Sequence, residues 1–414
     1  MRILYLTHYF FPEGNAPATR VYEATRRFSS AGCDVTVVTG VPNVPNGVVY
    51  EGYRNRLWQR EEVAGVDVVR VWTYLAPNKG TLKRIVNFLS FMVTATLAAL
   101  RVPRPDLVVA SSPQFFCGWA GVFASRLRRA PLVLEIRDLW PESIVAVGAM
   151  RKSPLIRVLE WLERRMYAAA RRIVTVGDGY RQELEARGIP GERISVIPNG
   201  IDGAVFHPRP DDGRLREEWG LGRRFVCAYV GTIGMGCGLE IVLRAARRLR
   251  AEGRDDVRFL LVGDGAVREE LEAQARAEGL DAVVFTGRLP KARMPEVLAA
   301  ADACLVHLTR TPLFRTVLPS KIFEAAAMAK PIVLGVEGFA ADLVGRAGAG
   351  ICIEPENEAQ LLEAVSRLAA DPSLGRKLGE AGLEQLGRPY DWNGLAKTYL
   401  ATLQAVASAG ATAR

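Results

Sequence analysis

Short apolar runs alternate with longer amphipathic stretches along almost the whole chain, and they do so in two series. ILYLTH, DVTVVTG, VDVVRVW, DLVVASS, PLVLEI, RIVTV and RISVIPN form the first, with helical periodicity over 18–31, 81–100, 115–128, 154–170 and 179–187. Strands that are apolar on both sides must be covered on both sides, which demands a parallel sheet between two layers of helices. Pro198-Asn199-Gly200-Ile201-Asp202 then reads as a turn, and the polar stretch 207–222 as a break. The second series runs FVCAYVGT, VRFLLVGD, AVVFTG, ACLVHL, PIVLGV and GICIEP, again with helices between. The fold class is therefore α/β, with two doubly wound domains at 1–200 and 201–389. Terminal helices are expected near 357–369, 373–386 and 392–408. The kink Pro389-Tyr390-Asp391-Trp392 sends the last of them, within 390–408, back toward the first domain.

In doubly wound sheets ligands bind beyond the carboxyl ends of the strands. Two such domains facing across a cleft put the site between them, so the loops after the strands are the ones to read. The richest stretch is 311–335, TPLFRTVLPSKIFEAAAMAKPIVLG. Ser320 reads as the N-cap of a helix over KIFEAAAMA. Free N–H groups and the helix dipole favour an anion at such an end. Lys321 and Arg315 add full charges there, and Glu324, a turn in, is a carboxylate able to accept hydrogen bonds from a diol such as a ribose. A phosphate-plus-ribose site, hence a nucleotide, is the simplest reading; the other is a capped core helix whose Glu324 pairs with Lys321. Gly231, Gly234, Gly236 and Gly238 follow FVCAYV and let backbone N–H groups reach a diphosphate. Gly263-Asp264-Gly265 and Gly287-Arg288-Leu289 close the next two strands. Main-chain groups there suit a nucleobase edge, and Arg288 and Lys291 add phosphate charge.

The first-domain loops carry less. Gly14-Asn15-Ala16, within YFFPEGNAP, is small enough for close approach of a ligand, and is equally a plain strand-to-helix connection. VPNVPNGVVYEGY, 41–53, is a long loop of the kind that shapes a substrate mouth. EIRDLWPES puts charges directly after a buried strand, where they are costly unless paired or used. Asp138 and Glu142 are candidates for sugar hydroxyls or for steering an acceptor hydroxyl, and Arg137 for neutralising phosphate; a structural ion-pair cluster is the alternative. Lys83, Arg84, Arg101 and Arg104 flank the apolar NFLSFMVTATLAAL. That fits an interfacial element near a lipid-linked acceptor and also a buried helix; the apolar run is of ordinary length for a covered helix, so the buried reading is preferred.

Composition excludes other classes. A length of 414 residues suits two domains, and a net charge of +9 suits anionic substrates or an anionic membrane face rather than a nucleic-acid arm. Three histidines without ligand spacing and no D-x-D leave no metal site to expect. Six scattered cysteines read as small core residues in a reducing, cytoplasmic compartment. The opening MRILYLTHYF is too short and polar for a signal peptide, and the apolar run 88–100 falls short of a membrane span.

IPNGID, the glycine loop, VGDG, FTGRLP and PSKIFEAAAMAKPIVLG, in that order, resemble the retaining glycosyltransferases of family 4. With HYFFPEGNAPATR, VPNVPNG, EIRDLWPES and TPLFRTVLPSKIFE, the chain resembles the branch that contains N-acetyl-L-fucosamine transferases and related capsule, O-antigen and colanic-acid enzymes. The resemblance covers nearly the whole chain. It implies the GT-B fold, two Rossmann-like domains, with an acceptor-binding first domain and a donor-binding second. It implies a nucleotide-sugar substrate, UDP-linked, no cofactor, and a glycan or polyprenyl-diphosphate-linked acceptor, with peripheral contact to the cytoplasmic membrane face. It further implies same-face attack in which the leaving phosphate takes the acceptor proton.

Residue by residue, the second Glu of the family's E-x7-E is Glu324, implied to bind the ribose, while the first position holds Thr316. Donor-sugar hydroxyls then fall to Arg315 or to backbone near Leu318. The Arg and Lys usual after the first strand of the second domain are absent at Thr232 and 235–237, so phosphate charge is expected from Lys321, Arg288 or Arg315. Where many relatives have His-Asp, this chain has Arg137-Asp138, and no catalytic histidine. The implied donor set is Glu324, Ser320, Leu318, Gly231, Thr232, Gly263, Asp264, Arg288 and Leu289. Arg137, Asp138, Lys321 and Arg315 serve catalysis, and Gly14, Asn15 and Glu142 the acceptor. A nucleotide-sugar 2-epimerase or a non-catalytic nucleotide-sugar-binding protein would share the fold. A dinucleotide oxidoreductase would need G-x-G-x-x-G, which is missing.

Overall fold

A computed structural model describes residues 1–44, 46–76, 81–112, 115–139 and 154–411. The chain divides into two units, Met1–Asn199 with Trp392–Arg414, and Gly200–Asp391.

The first unit is built on β1 (Arg2–Leu6), β2 (Asp34–Thr39), β3 (Trp58–Val63), β4 (Val66–Val71), β5 (Leu107–Ser112), β6 (Leu132–Ile136), β7 (Arg172–Thr175) and β8 (Ile194–Val196). They lie in the order β3-β4-β2-β1-β5-β6-β7-β8. Ile3 sits between Val35 of β2 and Leu107 of β5, all in parallel register and all buried. The exception is β3, which runs antiparallel to β4. Its sequence, WQREEV, shows no apolar run, so the parallel-only expectation missed it. The signal was the two-residue turn Ala64-Gly65, both at positive φ, which is hairpin chemistry. A charged strand at a sheet edge also discourages pairing with other chains.

Right-handed crossovers put helices Thr81–Arg101, Phe115–Arg128, Pro154–Ala169 and Asp178–Ala186 on one face. Ala16–Ser30 covers the other face, and Trp392–Ala411 packs beside it. There Phe28 and Tyr399 meet edge to face with ring centroids 5.4 Å apart. Beneath them lies a fully buried polar cluster. Glu135 accepts from Arg20 Nε, from the Tyr5 hydroxyl and, at 3.3 Å, from the Tyr399 hydroxyl. Arg20 also donates to the carbonyls of Ile197 and Pro198, each at 2.8 Å, and its guanidinium lies 5.5 Å from the Trp392 ring centroid. Glu135 is thus the structural member of EIRDLWPES.

Helix Thr81–Arg101 departs from the preferred sequence reading. Only 28% of its Lys83–Arg101 window is buried. Phe91, Ala95, Ala98 and Ala99 face the core, and the opposite side is open to solvent.

The second unit contains β9 (Phe225–Val230), β10 (Val257–Val262), β11 (Val283–Gly287), β12 (Ala303–His307), β13 (Ile332–Gly335) and β14 (Gly350–Cys352). Their order is β11-β10-β9-β12-β13-β14, all parallel. Strand alternation feeds two cores: Val226, Ala228 and Val230 point to one face, Cys227 and Tyr229 to the other. Each such fully buried Phe, Leu or Val contributes about 1.5–3 kcal/mol. Because every strand is parallel, all the strand exits line one edge. The order reverses between β9 and β12, and that reversal opens the crevice in which doubly wound sheets hold ligands.

Candidate functional site

The loops leaving β9 and β12 flank this reversal. Gly231 ends β9 at φ +139, and a Cβ there would meet Lys321 Cε at 2.5 Å and Nζ at 2.8 Å. The lysine therefore lies against the bare backbone of the glycine turn, its ammonium 5.0 Å from the Tyr229 ring centroid. Gly263 has no room for a Cβ because it abuts the Gly231 carbonyl, so the exits of β9 and β10 are packed backbone to backbone. Lys321, Glu324, Val230 and Val306 line one small cavity behind this turn.

Glu324 is half-buried, and its carboxylate has no hydrogen bond or ion pair among the described residues. Burial pushes its pKa up, while the charges of Lys291 and Lys321 pull it down; burial prevails. A pairing of Glu324 with Lys321 as a salt bridge is not present. Neither charge is neutralised by an ion pair among the described residues, and the two act on each other only at longer range.

Several expectations change in detail. Ser320 does not cap: it sits at helical φ/ψ and its side chain makes no cap bond. The helix Lys321–Ala327 spans seven residues, so its dipole is short and Lys321 carries most of the positive charge. Thr316 turns its hydroxyl to the Leu313 carbonyl at 2.8 Å within a short 3-10 turn, and so offers no substitute for the family's first Glu. Asp264 is committed: one oxygen accepts from Gly265 N–H at 2.8 Å and from Arg268 Nε at 3.1 Å, which orders the start of helix Arg268–Ala277. Thr232 is exposed, and its carbonyl accepts from the Tyr229 hydroxyl at 2.7 Å. Arg315 is exposed and makes no ion pair among the described residues. Arg288 is exposed after Gly287, whereas Leu289 and Leu318 lean on the core.

His307 was missed. It ends β12, is 1% exposed, and is fully bonded. Its Nδ1 donates to the Cys237 carbonyl at 2.7 Å, and its Nε2 accepts from Glu356 N–H at 2.9 Å. Thr309 N–H adds a bond to the Gly236 carbonyl at 3.0 Å. The imidazole thereby fixes the far end of the glycine loop to β12, and Gly335 is glycine because the ring occupies the Cβ position. Burial holds the His307 pKa below the ordinary value, so the ring stays neutral. The available signal was a histidine closing an otherwise apolar strand.

In the first unit, Asn15 is a helix cap: its side chain accepts from Ala18 N–H at 2.9 Å. Gly14 has open space around it. Arg137 follows β6 and donates to the Pro17 carbonyl at 3.4 Å, yet its buried Nε and second terminal nitrogen have no hydrogen-bond partner among the described residues. Burial lowers its pKa, and Glu135 opposes that shift. Orphan donors on a buried guanidinium are a standing cost that an anion would relieve. Asp138 raises the pKa of Tyr180, behind the larger effect of burial. Glu142 lies outside the described residues.

Comparison with known proteins fits this geometry. Residues 15–200 match the family "Glycosyl transferase 4-like domain", and residues 211–385 match "Glycosyl transferases group 1". The chain belongs to this glycosyltransferase family. It is 27% identical over 401 residues to a putative colanic acid biosynthesis glycosyl transferase of Escherichia coli (strain K12), spanning 93% of this chain and 97% of that one. It is 30% identical to the 2-deoxystreptamine glucosyltransferase of Streptomyces kanamyceticus over 66% of this chain and 70% of that one. Among solved structures, sucrose-phosphate synthase from Thermosynechococcus elongatus superposes with a TM-score of 0.76 at 17% identity, covering 99% of both chains. HepE of Anabaena, in complex with UDP and glucose, gives 0.72 at 20% identity, covering 97% of this chain and 99% of that one. The fold is GT-B, and the protein is a glycosyltransferase.

Proposed function

We propose that the chain is a metal-independent, retaining glycosyltransferase. It moves an N-acetylated amino sugar from a UDP-linked donor to a glycan or polyprenyl-diphosphate-linked acceptor in surface polysaccharide synthesis, on the cytoplasmic side. The observation that carries the donor reading is the Glu324 carboxylate, without a hydrogen bond or ion pair among the described residues, beside Lys321 at the glycine turn at Gly231. A ribose diol supplies two donors to the carboxylate. A diphosphate supplies the charge that Lys321 lacks, and the turn's main chain lets it come close. UDP and UDP-glucose in the Anabaena protein support uridine as the base. The sugar type, the acceptor and the branch near N-acetyl-L-fucosamine transferases rest on motif resemblance. The colanic-acid relative supports the polysaccharide setting.

Transfer requires a stabilised leaving diphosphate, a shielded oxocarbenium-like centre and an in-line acceptor hydroxyl. Lys321 and Arg315 hold growing negative charge on the leaving group. The leaving phosphate takes the acceptor proton, so no side-chain base is needed. Release of nucleoside diphosphate from a panel of nucleotide sugars, with and without a polyprenyl-diphosphate-linked glycan, tests the proposal. Acceptor-dependent release of UDP is expected. Acceptor-independent conversion of the sugar would make it an epimerase, and binding without turnover a non-catalytic receptor.

A further inference from the structure

We propose that the first unit holds a subsite of its own, built from His8, Ser111 and Arg137, that takes the carboxylate of an acidic sugar on the acceptor. The inference deepens the proposed function, and rests on it in assigning the first unit to the acceptor.

Topology gives the place. β1 lies between β2 and β5, and the chain runs outward from it in both directions, so the strand order of the first sheet reverses between β1 and β5. Such a reversal opens a crevice beyond the carboxyl ends of the strands. His8 follows β1, Ser111 lies at the end of β5 and Arg137 follows β6, and these three strands are neighbours. The residues converge on one point. The Cys117 thiol, in the first turn of helix Phe115–Arg128, is acted on by the main chains of His8 and Ser111 and by the charge of Arg137.

Each of the three has buried hydrogen-bonding capacity left over. His8 is 5% exposed and Ser111 2%. His8 Nδ1, Ser111 Oγ, and Arg137 Nε and Nη2 have no hydrogen-bond partner among the described residues. Native proteins leave few buried polar atoms unsatisfied, and a group of them at adjacent strand exits calls for a ligand.

Charge and shape select that ligand. The ionised groups that bear on Arg137 are Glu135 and Arg20, and these two are paired with each other. Arg137 therefore brings one positive charge in surplus. A carboxylate cancels it, whereas a phosphate monoester carries nearly two negative charges at neutral pH. The Pro17 carbonyl takes Nη1. That leaves Nε and Nη2, the side edge of the guanidinium, whose two parallel N–H groups match the two oxygens of one carboxylate. This differs from the phosphate role that the sequence suggests for Arg137. Burial pushes the His8 pKa down to about 3, so its ring stays neutral and adds no charge. The neutral ring and the Ser111 hydroxyl suit sugar hydroxyls.

Titration of the full chain with methyl glucuronide, methyl glucoside and glucose 6-phosphate, followed by saturation-transfer NMR without nucleotide, tests this. Methyl glucuronide should bind roughly 12- to 140-fold more tightly than methyl glucoside, the worth of a charged hydrogen-bonded contact. Arg137→Gln should remove that preference, and Arg137→Lys should not restore it, because an ammonium lacks the side-on pair of donors. Ser111→Ala should weaken glucuronide binding about 2- to 12-fold, the worth of one neutral hydrogen bond. Equal affinity for glucuronide and glucoside would overturn the proposal, as would tighter binding of glucose 6-phosphate, or a glucuronide preference that survives Arg137→Gln. Should Arg137→Gln lose its melting transition, Ser111→Ala decides, and unchanged glucuronide affinity there overturns the proposal. The UDP-induced thermal shift, measured separately, reports on the second unit; its absence in the wild type would refute the donor reading and not this one.

Discussion

Glu324→Gln should move two observables in opposite directions. The substitution keeps the side chain's size and removes its charge. In the folded protein the carboxylate lacks any partner among the described residues, and burial raises its pKa despite Lys291 and Lys321. An acid whose pKa is raised on folding holds its proton more tightly in the native state. Its ionisation then lowers stability as pH rises from about 4.3, the unfolded value, through the folded one. At pH 7 the raised pKa is a net cost to the empty protein. Glu324→Gln should therefore melt at the same or a higher temperature at pH 7, with the gain vanishing at low pH. Donor binding should suffer, because a charged hydrogen-bond acceptor to the ribose is gone. Such a bond is worth about 1.5–3 kcal/mol, and at 1.4 kcal/mol per decade the dissociation constant should rise roughly 12- to 140-fold. Calorimetric titration with UDP and UDP-sugars, beside melting curves at neutral and acid pH, measures both. A lower melting temperature at pH 7 with unchanged donor affinity would refute the reasoning and give Glu324 a purely structural role.

Lys321→Ala and Arg315→Ala should each lower kcat more than donor affinity, by about 2.7–4 kcal/mol in the barrier if each stabilises the leaving diphosphate; loss of melting temperature with kcat intact would make them structural. His307→Gln should weaken donor binding through the glycine loop and change the acid limb of stability. The wild-type ring is held neutral with a depressed pKa, so its contribution is complete above about pH 6.5 and is lost as pH falls toward the folded value; a wild-type-minus-variant stability difference that stays flat across that range would contradict the clamp. Turnover should survive EDTA, since no D-x-D or ligand cluster is written in the chain; activity lost in chelator and restored by magnesium or manganese would overturn the metal-independent reading.

Buried parallel strands are legible because they are apolar on both sides, and each run named from the sequence lies on an observed strand. The polar edge strand Trp58–Val63 was invisible for the converse reason: half of it faces water, and a charged hairpin looks like a loop. Lys321 and Glu324, singled out together because they share a turn of one helix start, do line one small cavity together. Ser320 was misread because a Ser before a helix suits a cap, and sequence does not reveal whether its backbone is already helical. Asp264 and Asn15 were placed among ligands, but each makes a local bond to the start of the next helix. The Arg20–Glu135 pair lay beyond sequence reading, since its partners are 115 positions apart and depend on the tertiary fold.

The same pair has a consequence for how the protein is made. Arg20 and Glu135 are made before the second unit, but Tyr399 and Trp392, which complete their enclosure, are made only after it. The second unit is continuous in the chain and can close as soon as it leaves the ribosome, whereas the first stays open along one side of its sheet until helix Trp392–Ala411 arrives. Until then a nascent chain displays Phe28 and the Glu135 carboxylate where water and chaperones can reach them. Helix Trp392–Ala411, translated only after the whole second unit, thus decides whether the first domain begun is completed.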